Sequence, residues 1–171
     1  QFGGKAPGPH ADMTIHDLDM ARWLLGEEPT EIMAVGSCLV DPAIGKAGDM
    51  DTAIVTLRTA SGRIAQITNS RRAAYGYDQR IEVLGEKGMV AANNQTPTTV
   101  SISDTSGVTG DKPLHFFLER YAAAYKAEME HFRDVVTGKI KPLVGIHDGE
   151  AALRLADAAL NSVKSGKLVK L

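Results

Sequence analysis

The sequence predicts an α+β domain with an open, mostly antiparallel β-sheet of about six strands and helices on one face. Three observations carry that expectation. A helical periodicity follows the start, a run of β-rich segments is joined by connections too short for parallel crossovers, and two long helical patterns close the chain.

Residues 1–11 (QFGGKAPGPHA) concentrate glycine and proline and read as a loop or a remnant outside the ordered fold, which then occupies 12–171 as one domain. From Asp12, Ile15, Leu18, Arg22 and Leu25 recur at helical spacing, which predicts a helix over 13–25 stopped by Gly26. The apolar, partly branched run at 31–39 and TAIVTLRT at 52–59 predict strands. Ala60-Ser61-Gly62 reads as a hairpin connection into RIAQITNSRR. DQRIEVLG at 78–85, a turn at 85–88, MVAAN, and TTVSIS at 98–103 continue the strand pattern. In 115–138, Leu118, Ala122, Tyr125, Met129, Phe132 and Val136 form one apolar stripe of a helix, expected to be core. A last helix is expected over 148–165, with Asp148 as N-cap, Leu153, Ala156, Leu160 and Val163 on its buried face, and Gly166 as its stop. In TAIVTLRT both alternating sets, Ala53/Val55/Leu57 and Ile54 with its threonine neighbours, hold apolar or branched residues. A sheet apolar on both sides predicts self-association.

The length of 171 residues suits one domain and excludes a self-contained two-domain enzyme. Nineteen Lys+Arg against 21 Asp+Glu leave a formal net charge of −2, so nothing electrostatic points to nucleic acid or an anionic membrane. A small neutral ligand or a protein surface is the expected partner. The single cysteine, Cys38, cannot form an internal disulfide, and no membrane span or signal sequence is legible, which together predict a cytoplasmic protein.

Asp12 and His16 stand four residues apart, on one face of the expected helix. A carboxylate there can fix the tautomer of an imidazole and stabilise its protonated form, as an acid/base pair requires. The same pattern also arises from helix capping and from a structural histidine. His10, Asp12, His16 and Asp19 could also be read as metal ligands, but His10 lies among prolines without fixed geometry, and no metal site is expected. Asp17 and Asp19 read as a solvated helix face. Tyr75-Gly76-Tyr77 opens a strand; if it is extended, both phenols point to one side, where they could hydrogen-bond a polyol. An aromatic pair at a sheet edge is the plainer reading of the same residues. Arg71 and Arg72 are expected to be solvated or paired with nearby acids. No G-x-G-x-x-G, P-loop, G-x-S-x-G or CxxC motif is present, so no cofactor-binding residue is expected in this chain.

Four blocks, DMTIHDLDMARWLLGEEPTEI, NSRRAAYGYDQRIEVLGEKGMV, ERYAAAYKAEMEHFRDVVTGK and HDGEAALRLADAALNSVKSGKLVKL, stand in this order from about Asp12 to Leu171. They resemble the C-terminal domain of the Gfo/Idh/MocA oxidoreductases. The resemblance implies the substrate-binding and oligomerisation half of an enzyme whose N-terminal Rossmann domain, absent here, binds NAD or NADP and supplies a lysine. The implied activity is oxidation of a ring hydroxyl of a polyol or sugar, myo-inositol foremost, to a ketone by hydride transfer. The family's Asp-x-x-x-His pair falls on Asp12 and His16: His16 would be the acid/base, and Asp12 would bind substrate and orient it. Tyr75 and Tyr77 fall on the family's tyrosine-containing block, Tyr77 as the better candidate for a substrate hydroxyl. A homodimer or homotetramer through the sheet face and an isolated chain without activity are expected. A sibling enzyme for another sugar, a non-catalytic assembly module and a metal-dependent hydrolase are the alternatives.

Overall fold

In the computed structural model, the backbone of residues 9–171 and the side chains from Thr14 onward are described. Along the chain run α1 (Pro9–Leu25), β1 (Pro29–Ser37), α2 (Pro42–Lys46), β2 (Thr52–Thr59), β3 (Ile64–Ser70), β4 (Ile81–Gly85) and β5 (Gly88–Ala92). They are followed by β6 (Ser101–Asp104), β7 (Gly107–Gly110), α3 (Phe117–Arg120), α4 (Ala122–Val136), α5 (Ile146–Ser165) and β8 (Val169–Lys170). The chain divides into two compact units, Gln1–Arg72 with Val144–Leu171, and Ala73–Leu143.

The first unit is a four-stranded antiparallel sheet, in the order β3-β2-β1-β8, with α1 and α5 on one face. The strands alternate as their sequences require. Ala53, Val55 and Leu57 of β2 point inward, where Leu18 and Ala21 of α1, Ile32 and Ala34 of β1, Ile67 of β3 and the alanine-rich side of α5 close the core. Each fully buried aliphatic side chain, such as Leu18, Ile32, Val55 and Leu57, contributes about 1.5–3 kcal/mol over its exposed state. On the outer face, the pairing aligns Val35 with Ile54 and Thr68, Met33 with Thr56 and Gln66, and Glu31 with Arg58 and Ile64. That face is mixed: Ile64 is 68% and Val35 54% exposed, beside threonines and a Glu31–Arg58 ion pair at 3.7 Å.

The second unit holds two separate antiparallel ribbons, β4-β5 and β6-β7, with α3 and α4. None of its residues is fully buried.

The α+β class and the antiparallel sheets agree with expectation; among the described residues the strands are eight, shared between one sheet and two ribbons rather than about six in one sheet. Residues 9–11, expected outside the fold, begin α1, because a proline fits the first helical turn, where its missing N–H costs nothing. The segment SGVTG, to which the sequence pattern assigns no strand, supplies β7. The helix expected over 115–138 breaks at Tyr121 into α3 and α4, and its stripe lies on the surface, with Met129 66% exposed, because the second unit assembles no core against it. In α5 the buried side is Ala152, Leu155, Ala156, Ala159 and Ser162, while Leu153 is half exposed. Asp148 is not the N-cap; it lies three residues inside, its carboxylate accepting the Gly145 N–H at 2.8 Å.

Candidate active site

Helix α1 owes its orientation to a buried stripe. Thr14, Leu18, Ala21 and Leu25 turn toward the core, which leaves His16 on the solvent side of the helix. Asp12 lies one turn earlier on the same helix, but its side chain, like that of His10, is outside the described residues. The Asp12–His16 contact and any metal set using His10 therefore have no geometry here.

The helix is held at its middle and near its end by polar contacts. At the middle, the Asn69 amide of β3 accepts the Thr14 hydroxyl at 3.3 Å and donates to the Asp17 carboxylate at 2.8 Å. Burial pushes the Asp17 carboxyl above its ordinary value, against the opposing pulls of the Asn69 bond and the neighbouring His16. Near the helix end, the Arg22 guanidinium reaches Asp19 at 2.9 Å, Glu28 at 2.8 Å and the Asp148 carbonyl of α5 at 3.2 Å. The expectation that Asp17 is merely solvated is corrected: it is half-buried and bonded. Asn69 escaped notice, yet the sequence carries its signal. Ala65, Ile67 and Asn69 share the inner face of β3, and an amide at an inward position calls for a partner.

Tyr75 and Tyr77 lie in the second unit and do not open a strand; they flank a turn, with the Gly76 N–H on the Ala73 carbonyl at 3.3 Å and Gly76 at φ +138°. Only glycine fits there, since an added Cβ would lie 2.7 Å from the Pro113 carbonyl oxygen. The two rings have different surroundings. The Tyr75 hydroxyl donates to Asp78, which also receives the Arg80 guanidinium at 2.7 and 2.9 Å and the Asn94 amide at 2.7 Å. Arg80, before any other partner, holds the Asp78 carboxyl down at about 2, and the bond to Asp78 pushes the Tyr75 phenol up. Tyr77 is half-buried, packed edge-on against Tyr121 with ring centroids 5.9 Å apart, and its N–H donates to the Leu114 carbonyl at 2.8 Å. Arg71 and Arg72 are exposed.

A dinucleotide asks for a glycine-rich turn from a strand into a helix N-terminus. The glycines of GEKG close the β4-β5 hairpin and those of SGVTG lie in the β6-β7 ribbon, so among the described residues these pieces do not fit that cofactor.

The family model for the oxidoreductase family C-terminal alpha/beta domain matches residues 1–171. The chain is 52% identical over 164 residues to a myo-inositol 2-dehydrogenase of Thermotoga maritima, covering 96% of this chain and 49% of that protein. It is 51% identical over 168 residues to an inositol 2-dehydrogenase of Rhizobium meliloti, covering 98% of this chain and 51% of that protein. Among solved structures, a scyllo-inositol dehydrogenase from Lactobacillus casei with bound NAD(H) and scyllo-inositol superposes with a TM-score of 0.88 at 26% identity, over 98% of this chain and 49% of that one. The chain thus spans about half the length of these relatives. Matched along its whole length and in its fold, the chain belongs to the Gfo/Idh/MocA oxidoreductases and corresponds to their C-terminal alpha/beta domain.

Proposed function

We propose that this chain is the substrate-binding and assembly half of an NAD(P)-dependent dehydrogenase that oxidises a ring hydroxyl of myo-inositol to a ketone. The observation that carries the reading is the presentation of His16: an imidazole on the open side of a helix that is pinned at its middle and near its end, one turn after Asp12. Such a group is free to take the proton of a substrate hydroxyl, and its fixed helix keeps the approach reproducible. Asp12 binds substrate and orients the ring. In the second unit, taken by itself, Tyr77 is the proposed donor to a substrate hydroxyl, whereas the Tyr75 hydroxyl proton is already committed to Asp78 and leaves that oxygen to accept. The oxidant is the nicotinamide, held by residues outside this chain. The names and substrates of the relatives support the polyol class, and their greater length supports a partner domain.

Assembly belongs to the same reading. The exposed Val35, Ile54 and Ile64 of the outer sheet face support a homodimer or homotetramer built there. The free thiol of Cys38, pushed up by burial and by its bond to Asp51, supports a reducing cytoplasm. No helix among the described residues is long and apolar enough to cross a membrane.

Steady-state kinetics of the full-length enzyme with myo-inositol and NAD test the proposal. His16→Ala is expected to lower kcat by about 10²–10⁴-fold. A near-normal kcat removes His16 from the acid/base role, and turnover of another polyol but not of myo-inositol replaces the substrate.

A further inference from the structure

We propose that Asn69 and Asp17 are a positioning pair that sets the rotation of α1 about its axis and thereby the aim of His16. The inference rests on the acid/base reading of His16. Asn69 occupies an inward position of β3, next in alternation to the buried Ile67, where an aliphatic residue would complete the core. Its amide instead uses both ends on one helix: Oδ1 accepts from Thr14 and Nδ2 donates to Asp17, three residues further on. Those two contacts bracket His16 in sequence. The apolar contacts of Leu18 and Ala21 bury area without direction and tolerate a small rotation or slide of the helix. A planar amide bonded at two points of the helix does not. Because neighbouring residues on a helix face different ways, fixing Asp17 inward fixes His16 outward.

The pair is also unfavourable as a packing device. Burial desolvates the Asp17 carboxylate, no cationic side chain among the described residues is bonded to it, and an apolar pair of similar volume would serve the core at least as well. A local rule broken without gain in packing points to a demand from the site.

Kinetics of the full-length enzyme give the test, with His16→Ala as reference. Asn69→Asp sets two carboxylates against each other and is expected to lower kcat per folded molecule by about 10- to 100-fold while leaving the KM for the dinucleotide unchanged. Asp17→Asn keeps an acceptor for Asn69 and stays within about threefold of the parent. The exchanged pair, Asp17→Asn with Asn69→Asp, rebuilds both bonds with the amide and carboxylate reversed, and is expected to recover kcat to within about threefold. A purely structural pair would instead lower the unfolding midpoint with kcat per folded molecule unchanged. If Asn69→Asp does not fold, Asn69→Ala, which removes both bonds without adding charge, must show the same fall in kcat. A kcat within about threefold of the parent for Asn69→Asp or Asn69→Ala overturns the proposal, as does an exchanged pair no better than Asn69→Asp. A near-normal His16→Ala would sink the acid/base reading alone. The positioning claim is then read from the His16 ring resonances, which must move in Asn69→Asp and return in the exchanged pair; unmoved resonances overturn it.

Discussion

The Asp51 carboxylate accepts the N–H groups of Leu39, Val40 and Asp41, each at 2.8 Å, and the Thr52 hydroxyl at 2.9 Å. One buried side chain thereby closes the whole loop from Cys38 to Met50. Burial pushes its carboxyl up, but the backbone donors outweigh that and hold it well below the usual carboxylate range. A group depressed in the folded state contributes stability above its unfolded value, near 4, and loses it as pH falls toward the folded value. Thermal unfolding midpoints of the parent and of Asp51→Asn, measured from pH 6 down to pH 2, should therefore converge as the pH falls. A constant gap over that range would show that the carboxylate charge is not what holds the loop. The residues of the candidate site were unevenly legible at this scale. His16 stood out because its spacing from Asp12 is a chemical pattern, and Asn69 did not, because an inward amide declares itself only once the strand's facing is known.

Among the elements, α5 does more than cover the sheet. β8 pairs with β1 only at Glu31 and Ile32, so the N–H of Ala34, further along β1, has no strand on that side. The Ser162 hydroxyl of α5 takes its place, accepting that N–H at 2.9 Å and donating to the Lys167 carbonyl at 2.7 Å, with the serine 0% exposed. Ser162→Ala removes one partner from each of two backbone groups, at about 1–3 kcal/mol apiece, so denaturant unfolding should show a loss of roughly 2–6 kcal/mol. A loss below about 0.5 kcal/mol would mean that water or a shifted strand replaces the hydroxyl. Elements with a strong period were read correctly as elements, β2 and β3 as alternating strands and α1 and α5 as helices, but the helical stripes are shifted: Thr14 and Ala21 are buried where Ile15 and Arg22 were expected, and Leu155 and Ala159 where Leu153 and Leu160 were. Short ones were not. The α2 turn is announced only by Asp41-Pro42, where the aspartate accepts the Ala43 N–H at 2.9 Å, and β8 is two residues long. Helix α4 was assigned from its stripe, but a period says that a face is apolar, not what covers it.

At the scale of the whole molecule, the outer face of the sheet is where assembly is expected. Ile64→Glu places a charge beside the Glu31–Arg58 pair on that face, outside the core cluster. Light scattering should show the parent chain above its monomer mass of 18.2 kDa and Ile64→Glu shifted toward it. A parent that stays monomeric at high concentration rules out assembly through this face. Family and class were legible because they rest on long blocks, while the division into two units was not, because contacts between distant segments leave no local period. That division has a further consequence for how the protein is made. The first unit is discontinuous: its β1-β2-β3 meander is synthesised early, whereas α5, which supplies Leu155, Ala156 and Ala159 to the same core, follows the whole of Ala73–Leu143. On the ribosome, the inner face with Ile32, Val55 and Leu57 must wait without that cover while some seventy further residues are translated. At ~5–20 residues per second the exposure lasts several seconds, long enough for trigger-type chaperones to bind or for nascent chains on one messenger to aggregate.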